Sequence, residues 1–343
     1  MGFGTREDGM RAIVYTCGGG PEVMRLVERP VPQVRAGEVR VRVAVSGVNP
    51  TDWKARANGS DEPEQVPNQD GAGTVDAVGE AVHGLAVGDR VWVWDAAWRR
   101  AGGTAQELIV LPARQVVGLP GCASLDVGAS LGIPALTAHE ALTAHGSVPD
   151  RLAPGALAGM TVLVTGGAGA VGHAAIQLAR WAGADVAATV SSDEKALLAR
   201  RAGAATVIDY LREDVATKLR SVHPAGADIV VDVDAPRNVT ASLASVADNG
   251  TIAIYATSDV DDLVVPGGPA MARNIRFQFV LTYTVAPVAK DHAVAAVAAA
   301  VADGAMEVGD AHGLPLHRFP LDRIADAHRA VEQGTVGKVL VDL

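Results

Sequence analysis

Residues 39–45 read Val-Arg-Val-Arg-Val-Ala-Val. Val39, Val41, Val43 and Val45 fall on one face, and Arg40 and Arg42 fall on the other. That period of two predicts a strand with one dry and one wet side. Shorter runs of the same character at 11–15, 74–78 and 90–94 are separated by Gly-Asp and Gly-rich turns, so the first third of the chain reads as β. Pro30-Val31-Pro32 and residues 63–67 read as Pro-rich connectors. Residues 126–142 carry a helical pattern, broken at Pro134.

The middle third has a different rhythm. Short apolar runs at 161–165, 185–189, 206–208, 228–233, 251–255 and 275–281 predict strands. Helical patterns lie between them at 171–182, 193–202, 212–221 and 239–247. This alternation predicts βαβ units and a parallel sheet covered on both faces. Further helices are predicted at 290–304 and 328–333, before a last strand at 338–343. The predicted fold class is therefore α/β, with a doubly wound Rossmann sheet inserted into a β-rich domain to which the C-terminus returns. The 343 residues suit two domains at the usual ~150 residues each.

One junction in this pattern carries chemistry. Val162-Leu163-Val164-Thr165 runs straight into Gly167, Gly169 and Gly172, a G-x-G-x-x-G spacing that opens a helical pattern through Ala170 and Val171. With a second apolar run following at 185–190, this is the strand–turn–helix opening of a dinucleotide site. Gly167 is expected to allow the tight turn, Gly169 to let backbone approach a pyrophosphate, and Gly172 to pack helix on strand. The amides and positive dipole end of the helix would face the phosphates. An acid at the end of the second strand would bind the ribose 2′-hydroxyl of NAD. Ser191 and Ser192 stand there instead, with Lys195 just beyond and Tyr210 ending the third strand. A hydroxyl, a cation and a phenol suit a 2′-phosphate, so the expected cofactor is NADPH.

Composition narrows the class. Hydrophobic residues make up 49% and charged residues 20%, as in a globular protein, and the net charge of −10 argues against nucleic acid or an anionic membrane as partner. Two cysteines, Cys17 and Cys122, exclude a disulfide framework and a Cys-rich zinc site. Residues 1–9 are polar, lack the apolar core of an export signal, and are expected to form a flexible extension before a fold that begins near Met10. Arg6 stands where a myristoylation signal needs Ser or Thr. The Ala-rich run 293–302, bounded by Asp291 and Asp303, is too short for a membrane span. A soluble, cytoplasmic protein is expected.

Several segments together resemble one family. Gly47-Val48-Asn49-Pro50-Thr51-Asp52, Asn68-Gln69-Asp70-Gly71-Ala72-Gly73, Gly88-Asp89-Arg90-Val91, Leu131-Gly132-Ile133-Pro134-Ala135-Leu136-Thr137-Ala138 and Gly337-Lys338-Val339 are similar to segments of the medium-chain dehydrogenase/reductases. The likeness is to their zinc-free quinone oxidoreductase, or ζ-crystallin-like, branch. It implies a GroES-like substrate domain at 10–136 and 287–343, around a Rossmann NADPH-binding domain at 137–286. It also implies that Asn49, Thr137 and Lys338 contact the cofactor. Zinc-dependent relatives carry Cys, His and Cys where this chain has Asn49, Gln69 and Ile133. None of these is a thiolate or imidazole, so no metal site is expected. The cysteine lobe of a structural zinc is absent too.

Without a Lewis acid, a hydride acceptor must already be electron-poor, as quinones and α,β-unsaturated carbonyls are. Asn49 is the expected catalytic residue, since a neutral amide can donate to a developing oxyanion. Its other reading is a turn residue before Pro50. Thr104, in Gly103-Thr104-Ala105-Gln106-Glu107, replaces an aromatic residue of many relatives, so proton delivery from solvent is expected. Four of the five tryptophans lie at 53, 92, 94 and 98. Trp53, Trp94, Trp98 and Thr104 are the substrate-binding candidates, the rings by stacking on a flat acceptor. Ordinary core packing accounts equally well for any single tryptophan. The expected activity is NADPH-dependent, metal-free quinone reduction by a homodimer paired through residues 275–285. Two alternatives stay open: reduction of 2-alkenals, enones or enoyl thioesters, and a crystallin-like NADPH-binding protein with little turnover.

Overall fold

The computed structural model describes residues 9–257 and 262–343. All of the expected extension except Gly9 lies outside the described residues. The chain forms two compact units, Met1–Ile133 with Leu316–Leu343, and Pro134–Pro315.

The first unit is built on strand β3. In chain order its elements are β1 (Met10–Val14), β2 (Arg25–Arg29), β3 (Glu38–Val48), α1 (Pro50–Asn58), β4 (Asp70–Val78), β5 (Arg90–Val93), β6 (Leu108–Pro112), β7 (Val116–Gly118) and α2 (Leu125–Gly128). The sheet runs β14-β15-β3-β4-β5-β7, where β14 (Leu316–Pro320) and β15 (Lys338–Asp342) return from the C-terminus, and β6 also pairs with β3. β1 and β2 form a separate antiparallel pair. The alternation at 39–45 does what it predicts. Val39, Val41 and Val43 are buried against Val91, Val93, Ile109 and Leu111. On the other face, Arg40 and Arg42 both reach Asp76, at 2.6 and 2.8 Å.

α1 is a helix without an apolar stripe, and for that reason periodicity misses it. Its buried side chains are Asp52 and Arg56, four residues apart on one face. Local signals start and stop it instead. Pro50 occupies its first turn, Asp52 Oδ2 accepts the Asn49 N–H at 2.7 Å, and Gly59 ends it at φ +88°. The break expected at Pro134 falls earlier, at residues 129–131. Pro134 lies in the first turn of α3 (Gly132–Leu142), where its missing N–H costs no hydrogen bond.

The second unit holds six parallel strands: β8 (Thr161–Val164), β9 (Asp185–Val190), β10 (Thr206–Asp209), β11 (Ala227–Asp232), β12 (Val246–Ile254) and β13 (Arg276–Phe279). Their order, β10-β9-β8-β11-β12-β13, is that of a doubly wound dinucleotide fold, with its switch point between β8 and β11. The covering helices are α4 (Ala170–Trp181), α5 (Asp193–Ala202), α6 (Val215–Val222), α7 (Ala235–Ser245) and α8 (Gly267–Ala272). Helix α9 (Pro287–Ala302) also belongs here, although residues from 287 were expected in the substrate domain. The segment after it is pinned to α4. Trp181 Nε1 donates to Asp303, Gln177 Nε2 to the Glu307 carbonyl, and His173 pairs with the His312 carbonyl. The chain returns to the first unit only at Leu316, and α10 (Ile324–Glu332) then precedes β15. β13 is also far shorter than the expected run of 275–285.

Gly73 of β4 pairs with Val43 of β3, where a side chain would run into the β3 backbone. A Cβ there would stand 1.9 Å from the Arg42 carbonyl oxygen. Gly73→Ala must therefore part the two strands, and is expected to destabilise the protein by about 1–3 kcal/mol. Chemical denaturation of the variant beside the parent checks this.

Candidate active site

In the second unit, the glycine run divides its labour differently from the expectation. Gly166 makes the left-handed turn, at φ +66°. Gly167 is a packing residue: a Cβ on it would meet Ala188 Cβ of β9 at 2.7 Å. A Cβ on Gly172 would stand 2.4 Å from the Gly166 oxygen, so this glycine lets α4 start hard against the turn. Gly169, the residue before α4, is exposed, and a Cβ there would meet only the Gly166 oxygen, at 3.5 Å. The Gly169 backbone is thus open to an anion, with Ala170 and Val171, the half-buried first residues of α4, next to it.

At the end of β9, Lys195 Nζ donates to Ser191 Oγ at 3.0 Å, and Ser192 Oγ caps α5 by accepting the Lys195 N–H. Tyr210 is exposed, and its backbone N–H joins the Val190 carbonyl, so it ends β10 beside Ser191. The negative charge of Asp193 is turned to Arg212, at 2.7 Å. A cavity of about 240 Å³ opens between the strand ends, lined by Thr165, Thr189, Tyr210, Arg237, Asn238 and Ser242 among others. Sequence reading missed Asp232, which organises its floor. This fully buried carboxylate accepts from Ser242 Oγ, Asn238 Nδ2 and the Asp234 N–H at 2.7–3.0 Å. Thr137 is buried on α3.

The first unit contains a buried polar cluster. Lys338, at the start of β15, donates to Asn49 Oδ1 at 2.7 Å and pairs with Asp70 Oδ2 at 3.3 Å. Asn49 Nδ2 donates to the same Asp70 oxygen at 2.7 Å, and the Ile133 N–H donates to Asp70 Oδ1 at 2.8 Å. All three side chains are at most 2% exposed. Both ends of the Asn49 amide are therefore engaged by protein, and Lys338 is an internal cation. A second chain of hydrogen bonds runs beside it. Thr104 Oγ1 donates to the Asp70 carbonyl, so Ser46 Oγ donates to Thr104. Asn68 Nδ2 donates to Ser46, and His328 Nε2 donates to Asn68 Oδ1. Burial, and then the Arg56 charge, push His328 down to about 3, so its ring is neutral. Thr104 is a fully buried pin of this chain, spatially a core residue.

The first unit also opens a cavity of about 700 Å³. Trp98 lines it, as do Tyr15, Asp52, Asn68 and Gln69. Trp94 does not. It is buried beneath the Arg114 guanidinium, which lies 5.3 Å from its ring centre. Trp53 is half-buried with Lys54 over its ring at 5.7 Å. Gln69 Oε1 accepts the Ala97 N–H at 2.9 Å. Asp52 is buried, and its carboxyl is pushed up to about 8, chiefly by burial and then by the Asp70 charge, against the backbone amides of Asn49 and Gln69 and the Lys338 charge. Of the substrate candidates, the structure brings Trp98 to this cavity, and it adds Tyr15, Asp52 and Gln69. The G-V-N-P-T-D and N-Q-D segments contained the signal for Asp52 and Gln69; nothing local marked Tyr15.

Removing one member of a buried ion pair leaves the other charge stranded. Lys338→Met is expected to cost about 3–5 kcal/mol, and adding Asp70→Asn should recover much of it. Thermal and urea unfolding of the single and double variants test this.

Comparison with known proteins agrees with this fold. Residues 35–121 match the alcohol dehydrogenase GroES-like domain family, and residues 170–308 match the zinc-binding dehydrogenase family. A quinone oxidoreductase of Lama guanicoe is 30% identical, with 97% of each chain covered. A mycobacterial protein solved in complex with NADPH superposes with a TM-score of 0.80 at 30% identity, over 97% of this chain and all of the other. An NAD-dependent alcohol dehydrogenase superposes with a TM-score of 0.83 at 27% identity, with the same coverage. Among the described residues no group of three or more His, Cys, Asp or Glu could hold a metal, and no helix is long and apolar enough to cross a membrane. The chain belongs to the quinone oxidoreductase family, in the zinc-free branch of the medium-chain dehydrogenase/reductases.

Proposed function

We propose that this protein reduces quinones by two electrons, with NADPH as hydride donor and no metal. The observation that carries the cofactor reading is the end of β9. Ser191, Ser192 and the Lys195 ammonium occupy the place where an NAD-binding unit needs a carboxylate. The open Gly169 backbone and the α4 amides would hold the pyrophosphate, and Ser191, Ser192, Lys195 and Tyr210 the 2′-phosphate. Bound there, NADPH supplies hydride; the protein's part is to hold and polarise the acceptor.

The donor set does not suit a zinc ion. Asn49 is committed at both ends of its amide, Gln69 Oε1 takes the Ala97 N–H, and the Ile133 side chain is alkyl. The acceptor must then be activated without a Lewis acid, which favours a quinone over a simple ketone. The first-unit cavity offers such a substrate an indole edge at Trp98 and polar groups at Gln69, Tyr15 and Asp52. Quinone oxidoreductases among the relatives support the same substrate class. The expected homodimer keeps a structural basis in the open edge strand β13 and the exposed Phe279 and Leu281 beside it.

The test is one panel of acceptors, read by NADPH absorbance. Ortho- and para-quinones should be reduced, before and after exhaustive chelation, and simple alcohols should not be oxidised with NADP⁺. Alkenal reduction well above quinone reduction would move the substrate class to activated alkenes. Tight NADPH binding without turnover would favour a binding protein. Lys195→Ala should weaken NADPH by roughly 1.5–3 kcal/mol, the range for charge-assisted hydrogen bonds, and barely alter NADH. Equal losses for both cofactors would make Lys195 structural.

A further inference from the structure

Two side chains in the wall of the first-unit cavity are deeply buried, yet each ends in a donor that the protein does not use. They are Gln69, at 5% exposure, and Tyr15, at 3%. Every other polar group of Gln69 is engaged. Its backbone N–H reaches the Asp52 carboxyl, its carbonyl accepts the Ala96 N–H at 3.1 Å, and Oε1 accepts the Ala97 N–H at 2.9 Å. A backbone donor on Oε1 fixes which end of the amide is nitrogen. Nε2 has no partner among the described residues, and it is not one of the orphaned atoms sealed from solvent. The cavity that Gln69 lines is the space left to it. Tyr15 is alike. Its backbone exchanges both hydrogen bonds with Gln65, at 3.0 and 2.9 Å, while Oη has no partner among the described residues and is not sealed either.

Both donors are held in place. Asn68, before Gln69, sits at φ +76° with Ser46 and His328 on its side chain. Asp70, after it, is tied to Asn49, Lys338 and the Ile133 amide. The Tyr15 ring packs in the core cluster that includes Ile13, Val48 and Val66. Of the charged groups nearby, Arg56 is paired with Glu332, and Arg100 donates to Gln115 Oε1 and the Val110 carbonyl. Arg99 lies 5.4 Å from the Trp98 ring centre, and Asp61 and Glu62 complete the charged lining. Tyr15 is pushed up to about 12, by burial and then by Asp52, against the Arg56 charge, so its hydroxyl keeps its proton.

We propose that Gln69 Nε2 and Tyr15 Oη are the two donors that hold the acceptor's carbonyl oxygen as it takes on negative charge. This rests on the quinone-reductase reading above and names the groups that polarise the substrate. A carbonyl oxygen has two lone pairs and no proton, the complement of two neutral donors. Addition of hydride brings two electrons and one proton to the quinone and leaves a hydroquinone monoanion, with the charge on oxygen. A proton from water then gives the hydroquinone. Neither Gln69 nor Tyr15 gives up a proton. Their hydrogen bonds strengthen as the oxygen becomes anionic, so they favour the transition state over the bound quinone.

Tyr15→Phe removes the hydroxyl and leaves the ring's packing in place. Gln69→Glu keeps the oxygen that anchors Ala97 and removes the free NH₂. With quinone and NADPH, each should lower kcat/KM by roughly 10- to 100-fold, more in kcat than in KM, since the lost bond is strongest to the developing charge. A second readout needs neither NADPH nor turnover. The probe is 4-nitrophenol, a product-like phenol whose anion is followed by absorbance in the presence of saturating protein. Bound to Tyr15→Phe, it should titrate about one pH unit higher than bound to the wild type, the equivalent of a tenfold weaker hold on the anion. A role in packing or loop anchoring alone would not move that value. Wild-type kinetics in either variant overturns the proposal, as does an unchanged 4-nitrophenol pKa in Tyr15→Phe. Should Gln69→Glu fail to fold, Tyr15→Phe decides. A wild-type protein that reduces no quinone removes the substrate reading, while the 4-nitrophenol titration still judges the donors.

Discussion

The contact on which the first unit depends most is the buried pairing of Lys338 with Asp70 through Asn49. Neither charged side chain is more than 1% exposed, so each has surrendered its hydration and must be compensated within the protein. The compensation comes from three separate places. β15 supplies the ammonium, the end of β3 delivers Asn49, and the start of α3 gives the Ile133 amide. Losing register in any one of them would strand a charge in a medium that cannot solvate it. The pair is therefore a constraint on β15, β3 and β4 more than a source of net stability.

That constraint sets the character of the neighbouring cavity. With Lys338 and Asn49 turned toward Asp70, the nearby Asp52 has the backbone amides of Asn49 and Gln69 beside its carboxyl and a like charge close by. Burial raises its pKa, and the Asp70 charge raises it further. The hydrogen-bond chain from His328 through Asn68, Ser46 and Thr104 to the Asp70 carbonyl fixes the backbone at the start of β4. A neutral imidazole closes that chain, so it brings no further charge into the core.

The second unit works by simpler means. The groups proposed to hold the cofactor are backbone amides at the start of α4 and the Ser191, Ser192 and Lys195 side chains between β9 and the first turn of α5, all placed by the parallel sheet order. The buried Asp232 side chain, held by Ser242, Asn238 and the Asp234 amide, ties the end of β11 to α7. Close approach at Gly167 and Gly172 and the left-handed turn at Gly166 explain why three of these positions tolerate no side chain.

The local patterns of this chain determined what local physics can determine. Alternation at 39–45, apolar runs between helical patterns, the glycine spacing and the Ser191-Ser192-Lys195 cluster each lie within a few residues, so their geometry follows from backbone periodicity. Helix α1 escaped that logic because its buried face is Asp52 and Arg56, and nothing local records that the segment after α9, at Asp303 and Glu307, bonds to α4 across 122 and 130 positions of chain. Tertiary structure alone decided that Thr104 and Trp94 are buried within the protein, that Trp98, Tyr15, Asp52 and Gln69 share one cavity, and that Lys338 meets Asp70 across 268 positions of chain. A side chain's charge, partners and protonation depend on which distant groups exclude water from it, and no periodicity in the sequence records that exclusion.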